Sequence, residues 1–187
     1  MLKSLPNLLT LSRILAIPVI VATFYVQGGT ARWVACILFI VAAITDFFDG
    51  YLARRQNVVS SLGRFLDPIA DKLLVAAVLL MLTAFDRLTQ ISVLPALVIL
   101  LREILVSGLR EYLAELRVGM PVSALAKWKT GIQMTALPLL LVGDEAPNWI
   151  PAQTLGEVCL WVAAVLTLIT GWDYLQAGLK HMQEPAA

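Results

Sequence analysis

Charge is scarce in this chain. Asp, Glu, Lys and Arg make up only 14% of its 187 residues, while 59% are hydrophobic, far above the apolar share of a soluble domain. Lys and Arg number 14 against 13 acidic residues, so there is no surplus of one sign to draw in a nucleic acid or an acidic partner. Cysteine is almost absent too. Cys36 and Cys159 stand far apart inside apolar runs, which argues against a disulfide framework or a thiolate metal site and for small core or lipid-facing residues. The single histidine, His181, falls in a polar tail. Without a histidine beside them, Ser60 and Ser61 are poor covalent nucleophiles, and the cysteines are misplaced for that role. The N-terminus lacks a short apolar region with a small-residue cleavage site, and runs from Lys3 and Arg13 into a long apolar stretch, so no cleavable signal is expected.

Long apolar runs are what the chain does have. A membrane-spanning helix needs roughly 20 mostly apolar residues, and six segments qualify, at about 8–27, 31–55, 67–85, 90–116, 122–143 and 152–179. The links between them are short: Gly28 and Gly29, a polar turn near 56–64, Asp86 and Arg87, Val118 to Pro121, and the stretch from Gly143 to Asn148. None can separate two soluble domains. The expected fold is therefore all-α, one polytopic membrane domain over 1–187 with six transmembrane helices and both termini on one side. That side would collect Lys3, Arg13, Arg54, Arg55, Arg64, Lys72, Arg102, Arg110, Arg117, Lys127, Lys129 and Lys180, leaving Arg32 and Arg87 on the other. Such a bias places the termini in the cytoplasm, and it survives removal of the four cations with possible site roles, Arg102, Arg110, Lys127 and Lys129. Pro18 and Pro138 fall inside spans, where neighbours can absorb the lost backbone bond. Trp33, Trp149, Trp161 and Trp172 fall mostly near span ends, as interfacial anchors do. The tail from Gln183 reads as disordered.

Against this background, four aspartates at 46, 49, 67 and 71 stand out. Spacings of three, four and seven put Asp46, Asp49, Gly50 and Ala53 on one face of the second helix. Gly50 and Ala53 leave that face nearly bare, so a bulky ligand can approach the backbone, and Arg54 ends the stripe ready for an anion. Counted from residue 31, Asp46 lies about 22 Å along the helix, inside a hydrocarbon core of about 30 Å. Across the turn, Asp67 precedes Pro68, the favoured N-cap and N1 pair, so the third helix is expected to begin there. Asp71 follows one turn later. Taken alone, Asp67 serves equally well as a cap. In an antiparallel hairpin, however, all four carboxylates would converge, and four anions in a low-dielectric site need cations. Hard divalent ions, Mg²⁺ or Mn²⁺, are the natural partners of such oxygen ligands.

The order Asp46-x2-Asp49-Gly50-x2-Ala53-Arg54-x8-Gly63-x3-Asp67-x3-Asp71 resembles the signature of the CDP-alcohol phosphatidyltransferases, with every fixed residue in place. That resemblance implies a six-helix membrane enzyme, usually a homodimer, in which the four aspartates hold two divalent cations on the diphosphate of a CDP-linked lipid. It further implies that Asp71 is the general base, that Gly50, Ala53, Arg54, Ser60 and Gly63 contact the CDP-lipid, and that Asn7, Thr10 and Arg13 sit near its nucleotide end. The segments Leu5 to Arg13, Arg102 to Glu111 and Gly119 to Met134 are similar to those of the bacterial phosphatidylglycerophosphate synthases, and this likeness weakens after about residue 143. It implies CDP-diacylglycerol and sn-glycerol 3-phosphate as substrates in a bacterial cytoplasmic membrane, with the active site facing the cytosol.

A phosphorylated acceptor needs cations of its own. Arg102 and Arg110, eight residues apart, are offset by about 80° on a helix and can border one cavity. Arg102 would lie about 18 Å from the outer edge, near the midplane, where a guanidinium must face a hydrated cavity or a partner. Lys127 and Lys129, near the start of the fifth helix, could close the same pocket. The expectation is that these four bind the acceptor phosphate; the competing reading pairs the arginines with Glu103, Glu111 and Glu115 and makes the lysines topological anchors. Other acceptors remain open for the same chemistry: inositol phosphate, serine, or phosphatidylglycerol in a cardiolipin synthase. A divalent-cation transporter is the rival of a different class, but it would need polar residues continuing into the outer half, and almost none are present.

Overall fold

The computed structural model describes residues 5–56, 61–115 and 123–183, and within them all side chains except those of 5–8, 46–56, 61–65, 67, 68, 115 and 180–183. Among the described residues there are six α-helices and no strand: α1 (Leu5–Thr23), α2 (Gly29–Gln56), α3 (Ser61–Ala84), α4 (Val93–Glu115), α5 (Ala124–Val142) and α6 (Ala152–Gln183). Single 3₁₀ turns sit at Gln90–Ser92 and Gly143–Glu145. A helix satisfies its backbone polar groups internally, which is why so apolar a sequence folds this way. Left-handed residues mark some of the turns between helices. Gly28, at φ 110°, turns the chain from α1 into α2, and Asp86, at φ 51°, closes α3. There the Asp86 N–H donates to the Thr83 carbonyl at 3.3 Å and the Arg87 N–H to that of Leu82 at 2.9 Å, the two bonds of a Schellman motif.

The chain divides into two compact units. One runs to Leu88 and adds Leu137–Gly156; the other holds Thr89–Ala136 and continues from Glu157. In the first unit α1 packs closely along both α2 and α3, which touch each other much less. Its core includes Ile20, Phe39, Leu74, Leu79 and Leu82, together with Leu137, Leu140 and Leu141 from α5, all essentially without solvent contact. Ala35, Phe39 and Ala42 face inward on α2 while Val34, Ile37, Val41 and Ile44 face outward, the spacing of a helix with one packed and one exposed side. In the second unit Ile99, Val106 and Leu113 bury one face of α4, and Leu160, Ala163 and Thr167 one face of α6. There a carboxylate ties the start of α4 to α6: Glu157 accepts from the Thr89 and Ser92 hydroxyls, each at 2.7 Å.

The outward faces are as apolar as the core. Leu94, Leu97, Leu101, Ile104 and Leu105 are exposed on α4, and Val158, Val162, Val165, Leu168 and Ile169 on α6. Patches of this extent are unfavourable in water and fit a bilayer. Two stretches, Gln90–Ala114 and Ala152–Leu179, are long and apolar enough to cross one.

Helix bounds differ from expectation most at α3, which starts at Ser61 and not at Asp67. Asp67 and Pro68 are therefore not a cap pair; they lie inside the helix, which continues past the proline. A proline there removes one backbone bond and crowds the carbonyl four residues back, a cost that tertiary packing in an apolar bundle can absorb. Both cysteines are free thiols, with Cys36 buried and Cys159 partly so. Gln183, where the disordered tail was expected to begin, is the last residue of α6; the rest of that tail lies outside the described residues.

Candidate active site

The start of α3 changes the geometry of the aspartates. Four residues, 57–60, join Gln56 to Ser61, so the two helix ends lie within about 18 Å of each other at full extension. From those ends inward, Asp49 and Asp67 lie about 10 and 9 Å along their helices, and Asp46 and Asp71 each about 15 Å. Matched steps along two helices joined by four residues would set the four carboxylates as two pairs at two depths. With a start at residue 67, the α3 pair would have been at the helix mouth and out of step with the α2 pair.

Asp71 is partly buried. The side chains of Asp46, Asp49, Gly50, Ala53, Arg54, Gly63 and Asp67 lie outside the described ones, although their backbones belong to α2 and α3; Ser60 lies outside the described residues altogether. The donor set is four carboxylates, hard oxygen ligands of the kind that Mg²⁺ and Mn²⁺ take, and it fits such ions. Among the described side chains no three metal-capable groups come together, and of these aspartates only Asp71 is one of them.

The first helix carries a buried cation of its own. Counted from the loop of 24–28, Arg13 lies about 15 Å along α1 and Asp46 about 26 Å along α2, so Arg13 falls about 10 Å short of the nearest aspartate's level. Thr10 and Arg13 are each 1% exposed, whereas the Asn7 side chain lies outside the described ones. An arginine this enclosed is held only among anions or carbonyls, and α1 packs on the two helices that carry the aspartates.

The second unit holds a separate charged cluster. Glu103 on α4 accepts from Lys129 Nζ of α5, and lies 3.7 Å from Arg102 Nη1. Arg102 Nη2 donates to Thr170 Oγ1 of α6 at 3.0 Å, and its guanidinium lies 5.6 Å from the centre of the Tyr174 ring. Gly171 makes room for that side chain: a Cβ there would meet Arg102 Cγ at 3.0 Å. Two of the four expected acceptor residues, Arg102 and Lys129, thus share one carboxylate, while Arg110 and Lys127 are exposed. Sequence reasoning named Glu103 as a competing partner for the arginines but missed Thr170 and Tyr174. The signal was there: Thr167, Thr170, Gly171 and Tyr174 follow helical spacing on one face of an otherwise apolar helix.

Comparison with known proteins gives the same direction from another side. The family model described as CDP-alcohol phosphatidyltransferase matches residues 3–169. A protein of Rickettsia bellii named CDP-diacylglycerol–glycerol-3-phosphate 3-phosphatidyltransferase is 52% identical over 179 residues, covering 96% of this chain and 97% of its own. Proteins of the same name from Salmonella choleraesuis and Cereibacter sphaeroides are 44% and 38% identical, covering 93% and 97% of this chain and 94% and 98% of theirs. With its aspartate signature on α2 and α3 and a match over most of its length, the chain belongs to the CDP-alcohol phosphatidyltransferase family.

Proposed function

We propose that this protein transfers the phosphatidyl group of CDP-diacylglycerol to sn-glycerol 3-phosphate, releasing CMP and forming phosphatidylglycerophosphate. The two pairs of aspartates at matched depths on α2 and α3 carry this reading, in a chain whose relatives bear the name of that reaction. The acceptor follows from those relatives and from the cationic surplus around Glu103.

In this reading Asp46, Asp49, Asp67 and Asp71 hold two divalent cations, Mg²⁺ or Mn²⁺, which when bound offset the charge of the diphosphate and polarise its phosphorus. Gly50, Ala53 and Gly63 leave room for the CDP-lipid, with Arg54 and Ser60 beside its phosphates and Asn7, Thr10 and Arg13 towards the nucleotide. Asp71 takes the proton from the C1 hydroxyl of the acceptor as that oxygen bonds to phosphorus and CMP leaves with the electron pair. Arg102, Arg110, Lys127 and Lys129 meet the acceptor's own phosphate. The chain lacks an activated nucleophile, so a single displacement with inversion at phosphorus is expected.

The same reading makes the chain one domain of six spans in the bacterial cytoplasmic membrane, with both termini and the aspartates facing the cytosol. The excess of Lys and Arg at that end supports the orientation, and the family resemblance supports a homodimer. The test is CMP release by the purified protein from CDP-diacylglycerol with a panel of alcohols, with and without EDTA. Metal-dependent turnover with glycerol 3-phosphate above inositol phosphate, serine and phosphatidylglycerol is expected; preference for another member of the panel would replace the acceptor.

A further inference from the structure

The other end of α2 carries a second charged feature that the reaction does not use. Phe24, Gly28, Arg32, Phe85, Arg87 and Glu145 are among the residues lining a cavity of about 260 Å³ at the α1–α2 turn. Two of its walls are guanidinium groups. Arg32 Nη1 donates to the Val142 carbonyl at 3.5 Å and lies 3.9 Å from Asp144, whose side chain is 83% exposed; an ion pair so long and so wet contributes little. Glu145 is committed elsewhere, because its carboxylate packs onto the bare Cα of Gly29, the first residue of α2, where a helix favours negative charge.

Arg87 is left over. Its guanidinium lies over the Phe24 ring at 4.3 Å, and the Schellman turn that closes α3 fixes its backbone. Its Nη1 is buried and has no hydrogen-bond partner, a costly state for a charged donor. Burial, and then the neighbouring charge of Arg32, push the Arg87 guanidinium below its ordinary pKa; a bound anion would relieve both. The lining holds two guanidinium groups and one carboxylate, a surplus of one positive charge that a monoanionic phosphate matches. Beside the cavity, Tyr25 packs on Phe85 and Trp33 Nε1 donates to the Glu145 carbonyl at 3.3 Å; both rings are exposed, as aromatic residues are where a bilayer meets water.

We propose that this cavity binds a phosphate oxyanion between Arg87 and Arg32, at the end of α2 remote from the aspartates. A phospholipid headgroup and free phosphate share that chemistry. Bidentate geometry suits arginine to either.

The test uses the full-length protein in detergent micelles, wild type and Arg87→Gln, titrated with dioctanoyl-phosphatidylglycerol or with inorganic phosphate while thermal unfolding is followed. Because lipid and phosphate also have a place at the aspartate end, the wild-type minus variant difference is the readout, and CMP release is measured alongside. An affinity about tenfold weaker in Arg87→Gln, with CMP release unchanged, supports the site; the probe that shows the loss identifies the source. Equal affinities of both proteins for both probes would overturn it. Should Arg87→Gln fail to fold, Glu145→Gln gives the opposite sign: removing the one carboxylate should tighten binding severalfold, and unaltered affinity for both probes would contradict the proposal.

Discussion

Two of the charged groups in this apolar chain are built on opposite plans. Around Glu103, one carboxylate serves two cations, and Thr170 takes a further donor of Arg102. The side chains of Lys129, Arg102 and Glu103 are 4%, 11% and 19% exposed, so their charges are mostly answered from within. On α2 and α3, four residues of the same sign fall at matched distances along their helices, and the proposed site gathers them. Opposite charges drawn together can hold a fold; like charges drawn together need something from outside. The first plan predicts a stability role with a surplus for an anion, and the second predicts cation and diphosphate binding.

The largest effect should come from the second cluster. Asp71→Asn removes both a metal ligand and the proposed base, and CMP release should fall by about a hundredfold or more, with thermal stability in detergent unchanged or raised. A fall in stability matching the loss of activity would mean that Asp71 is structural. Glu103→Gln probes the first cluster in the opposite way. It leaves Arg102 and Lys129 without their shared counter-charge, and should cost about 3 kcal/mol of stability, read as a lower unfolding midpoint.

Packing predictions are smaller. In the first unit a Cβ at Gly156 would come within 2.7 Å of Leu140 Cγ and 3.2 Å of the Leu140 backbone nitrogen, so Gly156→Ala should cost about 1–3 kcal/mol. Smaller again is Arg110→Gln. Arg110 is exposed, so stability should hold while KM for glycerol 3-phosphate rises by about tenfold and that for the lipid stays put, as expected for one lost charged hydrogen bond. Equal movement of both KM values would take Arg110 out of the acceptor pocket.

Much of this was legible because both chemistry and helix leave local marks. The spacing of Asp46, Asp49, Gly50 and Ala53 is one helical face whatever the tertiary structure, and the six helices follow from apolar length. The start of α3 was misread because Asp-Pro is a good cap signal in water-exposed sequence, whereas here the helix passes through Pro68. Arg102 was expected to need a partner near mid-membrane, but its contacts to Thr170 and Tyr174 come from a helix 68 and 72 residues further along the chain, and no local rule brings those together. Arg32 and Arg87 counted only as two exceptions to a topological bias. Their shared cavity depends on the α1–α2 turn and the close of α3 meeting in space.

The central claim is that four aspartates are gathered to bind divalent cations. Mn²⁺ binding measured by electron paramagnetic resonance tests it without relying on turnover, because protein-bound Mn²⁺ loses the sharp signal of the free ion. Titration of the wild-type protein should remove signal with stoichiometric binding, and the double substitution Asp49→Asn with Asp71→Asn should leave the ion free across the same range. Equal signals for the two proteins would contradict the account.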